Sequence, residues 1–265
     1  MVVILYFLIC LVFITLGSLT EDPDLAHFFV LPVGLAALLF QKFLHRDRIQ
    51  DLGFRACPWI RIGQSFALPI IIICIIFLMD FIFGFVHEIN LSRMENPFIR
   101  VEAEVNIGTL IIIIALTAFL TFVAALITEE LGFRGYLINR LAHLGLYKAL
   151  LISSVLFSLW HIPPSLILLG SGLGSSAVYV VNLFLLGILL GYLFIESKSL
   201  LAPSLFHGVW NALEYSLFGY GNIQGVFLGT DRILFDPEEG LIGTVVLLAF
   251  SFIALRKIKK GKNSG

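Results

Sequence analysis

The chain has 265 residues, of which 59% are hydrophobic and 13% are charged, and its formal net charge is −1. This composition excludes an ordinary water-soluble domain and is typical of an integral membrane protein. The near-zero net charge gives no sign of nucleic-acid binding, so we expect no nucleic-acid partner. The three cysteines show no CxxC or Cys/His spacing, which argues against a disulfide framework and against a thiolate metal site.

Apolar stretches recur along the whole chain, each close to the roughly 20 residues that a spanning helix needs. Eight of them lie near residues 2–20, 27–44, 66–86, 107–128, 149–169, 176–195, 200–218 and 241–255. The sequence therefore predicts an all-α integral membrane protein with about eight transmembrane helices. Since there is no linker, no repeat and no low-complexity segment, we expect a single polytopic domain over residues 1–265.

The basic residues predict the orientation of this domain. Most Lys and Arg side chains fall in every second loop if both termini are cytoplasmic, as the positive-inside rule requires. The acidic clusters EDPD (21–24) and DPEE (236–239) then lie on the other side. We expect a multi-pass protein with both termini in the cytoplasm, in the plasma membrane of a prokaryote or the endoplasmic reticulum of a eukaryote.

The segment ITEELGFRGYL (127–137) places ionisable residues at the end of the fourth apolar stretch. Glu130 and Arg134 are four residues apart and can pair on one helical face, whereas Glu129 points about 100° away. One interpretation is a membrane-exit cluster in which both acids meet water. The other gives the acids different functions, one held by Arg134 and one free for proton transfer.

The segment FSLWHIPP (157–164) places His161 four residues after Phe157 and about 12 residues, roughly 18 Å, into the fifth stretch. Pro163 and Pro164 disturb the helix there, and the freed carbonyls must be satisfied by protein or by a water-filled cavity. A histidine at this depth is either an interhelical hydrogen-bonding residue or a catalytic one.

The segment LFHGVWNAL (205–213) presents His207 and Asn211 on one helical face, because they are four residues apart. They could simply pack between helices, but two donors aimed at one point are also what an oxyanion needs. Glu129, His161 and His207 come from three spans and have no favourable lipid-facing position. We therefore expect them to converge on one interior cavity open to the cytoplasmic half, where a carboxylate and an imidazole could activate water for peptide hydrolysis.

These three motifs, EExxxR, FxxxH and HxxxN in this order, resemble the signature of the CAAX protease and bacteriocin-processing family, which includes the Ras-converting CAAX prenyl endopeptidases. The resemblance implies an eight-helix intramembrane endopeptidase with a catalytic core at about residues 107–218. It implies a prenylated or otherwise hydrophobic peptide as substrate, membrane lipid as partner and no cofactor. In such an enzyme Glu129 and His161 would activate the attacking water. His207 and Asn211 would bind the oxyanion. Glu130, Arg134 and Phe157 would support these residues.

Two alternatives remain open at the level of sequence. Glu129, His161 and His207 are also the ligand set of a His2Glu zinc site, which would make the protein a metalloprotease, although no HExxH helix occurs. The same cavity could serve a non-hydrolytic bacteriocin-immunity or lipopeptide-binding protein. Asp80 and Glu214 have no assigned chemistry; either could line the cavity, but we expect structural pairing.

Overall fold

The computed structural model describes residues 1–99, 105–169, 172–221, 223–229 and 231–261. Its α-helices are α1 (Val2–Ser18), α2 (Pro23–Phe28), α3 (Leu31–Leu39), α4 (Trp59–Ile82), α5 (Ile107–Ile127), α6 (Asn139–Leu141), α7 (Leu146–Trp160), α8 (Leu173–Ser197), α9 (Leu201–Leu217), α10 (Arg232–Phe235) and α11 (Leu241–Gly261). Three π-helical stretches, Phe40–Leu44, Glu130–Ile138 and Pro164–Leu168, follow α3, α5 and α7. Short 3₁₀ turns occupy Ile49–Leu52, Leu91–Arg93 and Ala142–Leu144.

The connectors contain four short strands that the sequence analysis did not predict. The strand β1 (Val86–Ile89) pairs antiparallel with β4 (Phe227–Gly229), and β2 (Gly219–Tyr220) pairs antiparallel with β3 (Ile223–Gln224). In the first pair Ile89 lies opposite Phe227, and the register shifts between Val86 and Glu88. The described chain is nevertheless mostly helical, as predicted.

Six helical segments of the described chain are long and apolar enough to cross a membrane. They are Leu25–Leu44, Trp59–Ile82, Ile107–Leu144, Leu146–Leu168, Leu173–Ser197 and Leu241–Lys260. The other two predicted spans form helices of 17 residues each, α1 and α9. A multi-pass membrane protein is thus confirmed, whereas the count of eight crossings and the cytoplasmic location of the termini stay predictions.

Helix α8 forms the centre of the bundle. In the most apolar 18-residue segment of α8, 72% of the residues are buried. The corresponding share in the other five candidate spans is 22% to 39%. The outer helices expose large apolar side chains such as Phe66, Ile111 and Phe119. Such an outward apolar surface suits contact with lipid, so the polar residues of the outer helices have to turn toward the interior.

Helix α9 packs along both α4 and α5. Gly208 makes the approach to α5 possible, because a Cβ at this position would lie 2.6 Å from the carbonyl oxygen of Ala118 and 2.8 Å from the backbone nitrogen of Phe122. Small residues allow helix backbones in membranes to come this close. The contact places the HxxxN motif of α9 beside the helix that leads into the EExxxR motif.

The first prediction concerns this contact. Gly208→Ala should destabilise the protein by about 1–3 kcal/mol, because the added methyl group meets backbone atoms that cannot move aside easily. Thermal unfolding in detergent measures the change. Gly63→Ala in α4 is the matched control, because a Cβ at Gly63 has no atom within 4 Å. Equal melting temperatures for the two variants would show that the α5–α9 contact is looser than described.

Candidate active site

The EExxxR motif lies at a break in the helical backbone. Helix α5 ends at Ile127. The next residue, Thr128, has a φ of −122° and a ψ of −93°, which are not helical, and the π-helix Glu130–Ile138 begins directly after Glu129. All residues of this π-helix are buried. The sequence analysis assumed ordinary α-helical spacing here, and the structure corrects this: the motif adopts the rarer i→i+5 geometry, which is frequent at functional sites.

The carboxylate of Glu130 is fully buried and has two partners on the same oxygen. His207 Nδ1 lies 2.8 Å from Glu130 Oε1, and Arg134 Nη1 lies 3.3 Å from it. The ion pair predicted between Glu130 and Arg134 is thus present. Its contact with His207, which comes from α9, could not be predicted because motif spacing describes only neighbours within one helix.

Glu129 turns to a different partner. Its Oε2 lies 3.8 Å from His161 Nε2 and accepts no hydrogen bond from any residue that the structure describes. The other ring nitrogen, His161 Nδ1, lies 2.8 Å from the backbone oxygen of Phe157 and therefore donates to it. With Nδ1 carrying a proton, a neutral His161 ring presents the lone pair of its Nε2 toward Glu129.

Phe157 connects the two halves of the site. The guanidinium carbon of Arg134 lies 4.1 Å from the centre of the Phe157 ring. The same ring meets His161 edge-to-face at 4.6 Å and His207 at 6.5 Å. Since neither Nη1 nor Nη2 of Arg134 donates an aligned hydrogen bond to the described residues, this cation–π contact adds to the ion pair with Glu130 in stabilising the buried guanidinium.

Asn211 stands apart from these contacts. It is half-buried on α9, one turn after His207, and its amide makes no hydrogen bond within the described part of the chain. The structure therefore brings six of the seven predicted site residues into direct contact with one another. It places Asn211 on the same helix without showing a partner for it.

Supporting residues that the motifs do not reveal surround the site. Trp160 and Tyr179 pack their rings against His161 at 4.8 Å and 6.1 Å. Ser153 donates its hydroxyl to the backbone oxygen of Phe133 at 2.5 Å and so satisfies a carbonyl of the π-helix. Serine at a helix–helix contact is common in membrane proteins, so no sequence signal distinguished Ser153.

The alternative of a His2Glu zinc site would require Glu129, His161 and His207 to surround one point. Glu129 faces His161, whereas His207 is bound to Glu130. No group of three His, Cys, Asp or Glu side chains in the described chain is arranged to hold a metal ion. These residues consequently do not fit a His2Glu zinc centre in the geometry observed.

The expectation of structural pairing is wrong for Asp80. Its side chain is completely buried in α4, yet neither carboxylate oxygen has a hydrogen-bond partner among the described residues. Glu214, seven residues after His207 on α9, likewise leaves its Oε2 without a partner among these residues. Both acids lie near the acidic connector between α10 and α11 rather than in the contacts of the motif residues.

Fold and site define a multi-pass membrane protein in which two carboxylates and two imidazoles form adjacent pairs, one pair buried and the other half-buried. Residues 111–213 match the family model described as Type II CAAX prenyl endopeptidase Rce1-like. The stretch is less than half of the chain but contains all three motifs. The match confirms the resemblance over this segment, and similarity to the Rce1-like CAAX endopeptidase family implies a peptidase. No curated protein matches the chain.

The second prediction tests the buried ion pair. Arg134→Gln should lower the free energy of unfolding by about 3 kcal/mol, because it leaves buried carboxylates without their cation and removes the contact with Phe157. Arg48→Gln is the control, since the Arg48–Asp51 pair is exposed and should contribute nothing measurable. Thermal unfolding in detergent compares the two, and an unchanged melting temperature for Arg134→Gln would contradict the network.

Proposed function

We propose that the protein is a glutamate-type intramembrane endopeptidase in which Glu129 and His161 activate the attacking water. This proposal rests on one observation: the two adjacent acids have different partners. Glu130 contacts Arg134 and His207, whereas Glu129 faces Nε2 of His161. A reactive carboxylate beside a structurally held one is the arrangement that acid–base chemistry requires.

The distance of 3.8 Å between Glu129 Oε2 and His161 Nε2 is too long for a hydrogen bond and suits a bridging water. Such a water would donate one proton toward each acceptor. In the reaction its oxygen forms a bond to the substrate carbonyl carbon while its proton passes to Glu129 or His161. The same proton then goes to the nitrogen of the departing peptide as the carbon–nitrogen bond breaks.

His207 and Asn211 would stabilise the oxyanion that forms in this step. Because His207 Nδ1 donates to Glu130, its Nε2 can donate to an oxyanion only if the ring is an imidazolium. The adjacent Glu130 carboxylate favours that form. With His207 protonated, the negative charges of Glu129 and Glu130 are balanced by the positive charges of Arg134 and His207. The Asn211 amide, still without a described partner, supplies the second donor.

The substrate follows from the surroundings of the site. A peptidase whose outer helices face lipid acts on hydrophobic or prenylated proteins, as the family indicates. We propose that it removes the C-terminal tripeptide of prenylated CAAX proteins, or cleaves a related membrane-associated peptide, through a cavity open to the cytoplasmic side. Residues 107–218 would form the catalytic core.

The third prediction separates the roles of the two acids. Glu129→Gln and His161→Ala should each lower kcat for a fluorogenic prenylated CAAX peptide by about 100-fold or more, since each loses a proton acceptor. Glu129→Gln should keep the wild-type melting temperature, because Glu129 Oε2 accepts no hydrogen bond from the described residues. Glu130→Gln should lose both activity and thermal stability.

The control for these variants is Glu196→Gln, which makes the same chemical change at the partly exposed ion pair with Arg61 and should leave kcat unchanged. The opposite result is that Glu130→Gln keeps its thermal stability and loses more kcat than Glu129→Gln does. Glu130 would then be the base and Glu129 the supporting acid. Full biological activity of Glu129→Gln in cells, with no cleavage by the wild type, would instead identify a non-hydrolytic immunity or lipopeptide-binding protein.

The fourth prediction concerns metals. Because the carboxylates and imidazoles pair with each other rather than around a common centre, we propose catalysis without zinc. Purified protein treated with a chelator and passed through a metal-stripping resin should keep its rate of peptide cleavage. Loss of cleavage that returns with one equivalent of zinc would establish the metalloprotease alternative.

A further inference from the structure

The connector between α10 and α11 forms a well-organised acidic loop, residues 236–240 (DPEEG). Asp236 Oδ1 accepts the backbone N–H groups of Glu238 and Glu239, each at 2.8 Å, and its Oδ2 accepts a hydrogen bond from Arg232. Asp236 is completely buried. The loop is therefore held in one conformation by its own first residue rather than by contacts with solvent.

The acidic loop is bound to two helices of the bundle. On α8, the amide of Asn182 donates to the backbone oxygens of Glu238 at 2.8 Å and Gly240 at 3.0 Å. On α9, the indole Nε1 of Trp210 donates to Glu238 Oε1 at 2.6 Å. Glu238 thus joins the central helix α8 to α9 through its backbone and its side chain.

Trp210 lies between the two proposed oxyanion donors of α9, three residues after His207 and directly before Asn211. Its side chain is completely buried, and its ring stacks with that of Phe206 at an angle of 10°. Because a helix is rigid over one turn, an interaction that fixes the indole also fixes the height and rotation of His207 and Asn211. A displacement of about 1 Å in such donors can lower a rate by about 100-fold.

We propose that Glu238 is a positioning residue, which holds His207 and Asn211 in register for the oxyanion by binding the indole of Trp210. This inference rests on the proposed function, since it assumes that these two side chains bind the transition state. It is independent of the family resemblance, because the acidic loop lies beyond residues 111–213, the segment that matches the family model. Glu238 itself does not touch the substrate.

The choice of a carboxylate is informative because the surrounding loop is already acidic. Arg232 forms an ion pair with Asp236, and its Nε lies 3.8 Å from Glu239 Oε2. The positive charge of Arg232 is thus paired with these two acids rather than with Glu238. The hydrogen bonds described for the Glu238 carboxylate come from Trp210 alone. Burying a carboxylate with a single indole donor costs free energy of folding. We therefore infer that Glu238 is there to hold the indole of Trp210 in place.

The fifth prediction compares variants of Glu238 with variants of its neighbour. Glu238→Ala should lower kcat for the prenylated peptide by about 10-fold or more and leave KM within about twofold, because oxyanion contacts form in the transition state. Glu238→Gln should restore kcat to within about threefold of wild type, since its amide oxygen still accepts from the indole. Glu239→Ala, in the same loop but facing Arg232, should behave like wild type.

Trp210→Phe provides the same test from the other side of the bond. It should lower kcat as Glu238→Ala does, and combining the two substitutions should cause no further loss, because both remove one interaction. This variant also keeps the test decisive if Glu238→Ala does not fold. Three results would overturn the proposal. The losses of kcat in the two single variants could multiply in the double variant, Glu238→Gln could fail to restore kcat, or Glu239→Ala could lose as much kcat as Glu238→Ala.

An optical measurement separates this proposal from the proposed function. In a Trp59→Phe/Trp160→Phe background, fluorescence reports on Trp210 alone. Its emission maximum should shift in Glu238→Ala and stay unchanged in Glu239→Ala, whether or not the protein cleaves the peptide. If the wild type cleaves nothing while the shift occurs, the proposed function fails and the bond stands. If no shift occurs in an enzyme that cleaves the peptide, the positioning role of Glu238 is refuted.

Discussion

The contacts of the Glu130 carboxylate are the constraint on which the rest of the site depends. A fully buried carboxylate is stable in a membrane bundle only when cations and donors surround it. Arg134 provides the charge from the same helix, and His207 provides the hydrogen bond from α9. Because Glu130 holds both, it ties the EExxxR motif to the HxxxN motif and leaves its neighbour, Glu129, free for another partner.

The helices that present these residues are shaped by the same requirement. The π-helix turns Glu130 and Arg134 into the bundle, and Gly208 lets α9 come close enough to α5 for His207 to reach Glu130. Phe157 then fills the space beneath the guanidinium and carries His161 one turn later. Each motif thus contributes a residue that touches another motif, although the three are separated in the chain.

Local spacing was sufficient to predict part of this arrangement. The separation of four residues correctly indicated that Glu130 pairs with Arg134. Of the eight spans that hydropathy predicted, six correspond to helices of the described chain that are long and apolar enough to cross a membrane. The π-helix, the bond from His207 to Glu130 and the bond from Trp210 to Glu238 were not predictable. They depend on how distant helices pack, and apolar periodicity does not encode which neighbour a helix meets. Asp80 was misjudged for the same reason, since burial without a partner cannot be read from its position.

The break at Thr128 also divides two environments. Before it, α5 exposes Ile111, Ile112 and Phe119, as a helix in contact with lipid would; after it, the whole π-helix is enclosed by protein. Glu129 stands at the border between the two. If the substrate is tethered to the bilayer by a hydrophobic group, as proposed, it searches for the enzyme in two dimensions and reaches this border without leaving the membrane. The anchor on such a substrate would therefore act as a means of delivery as well as a recognition element.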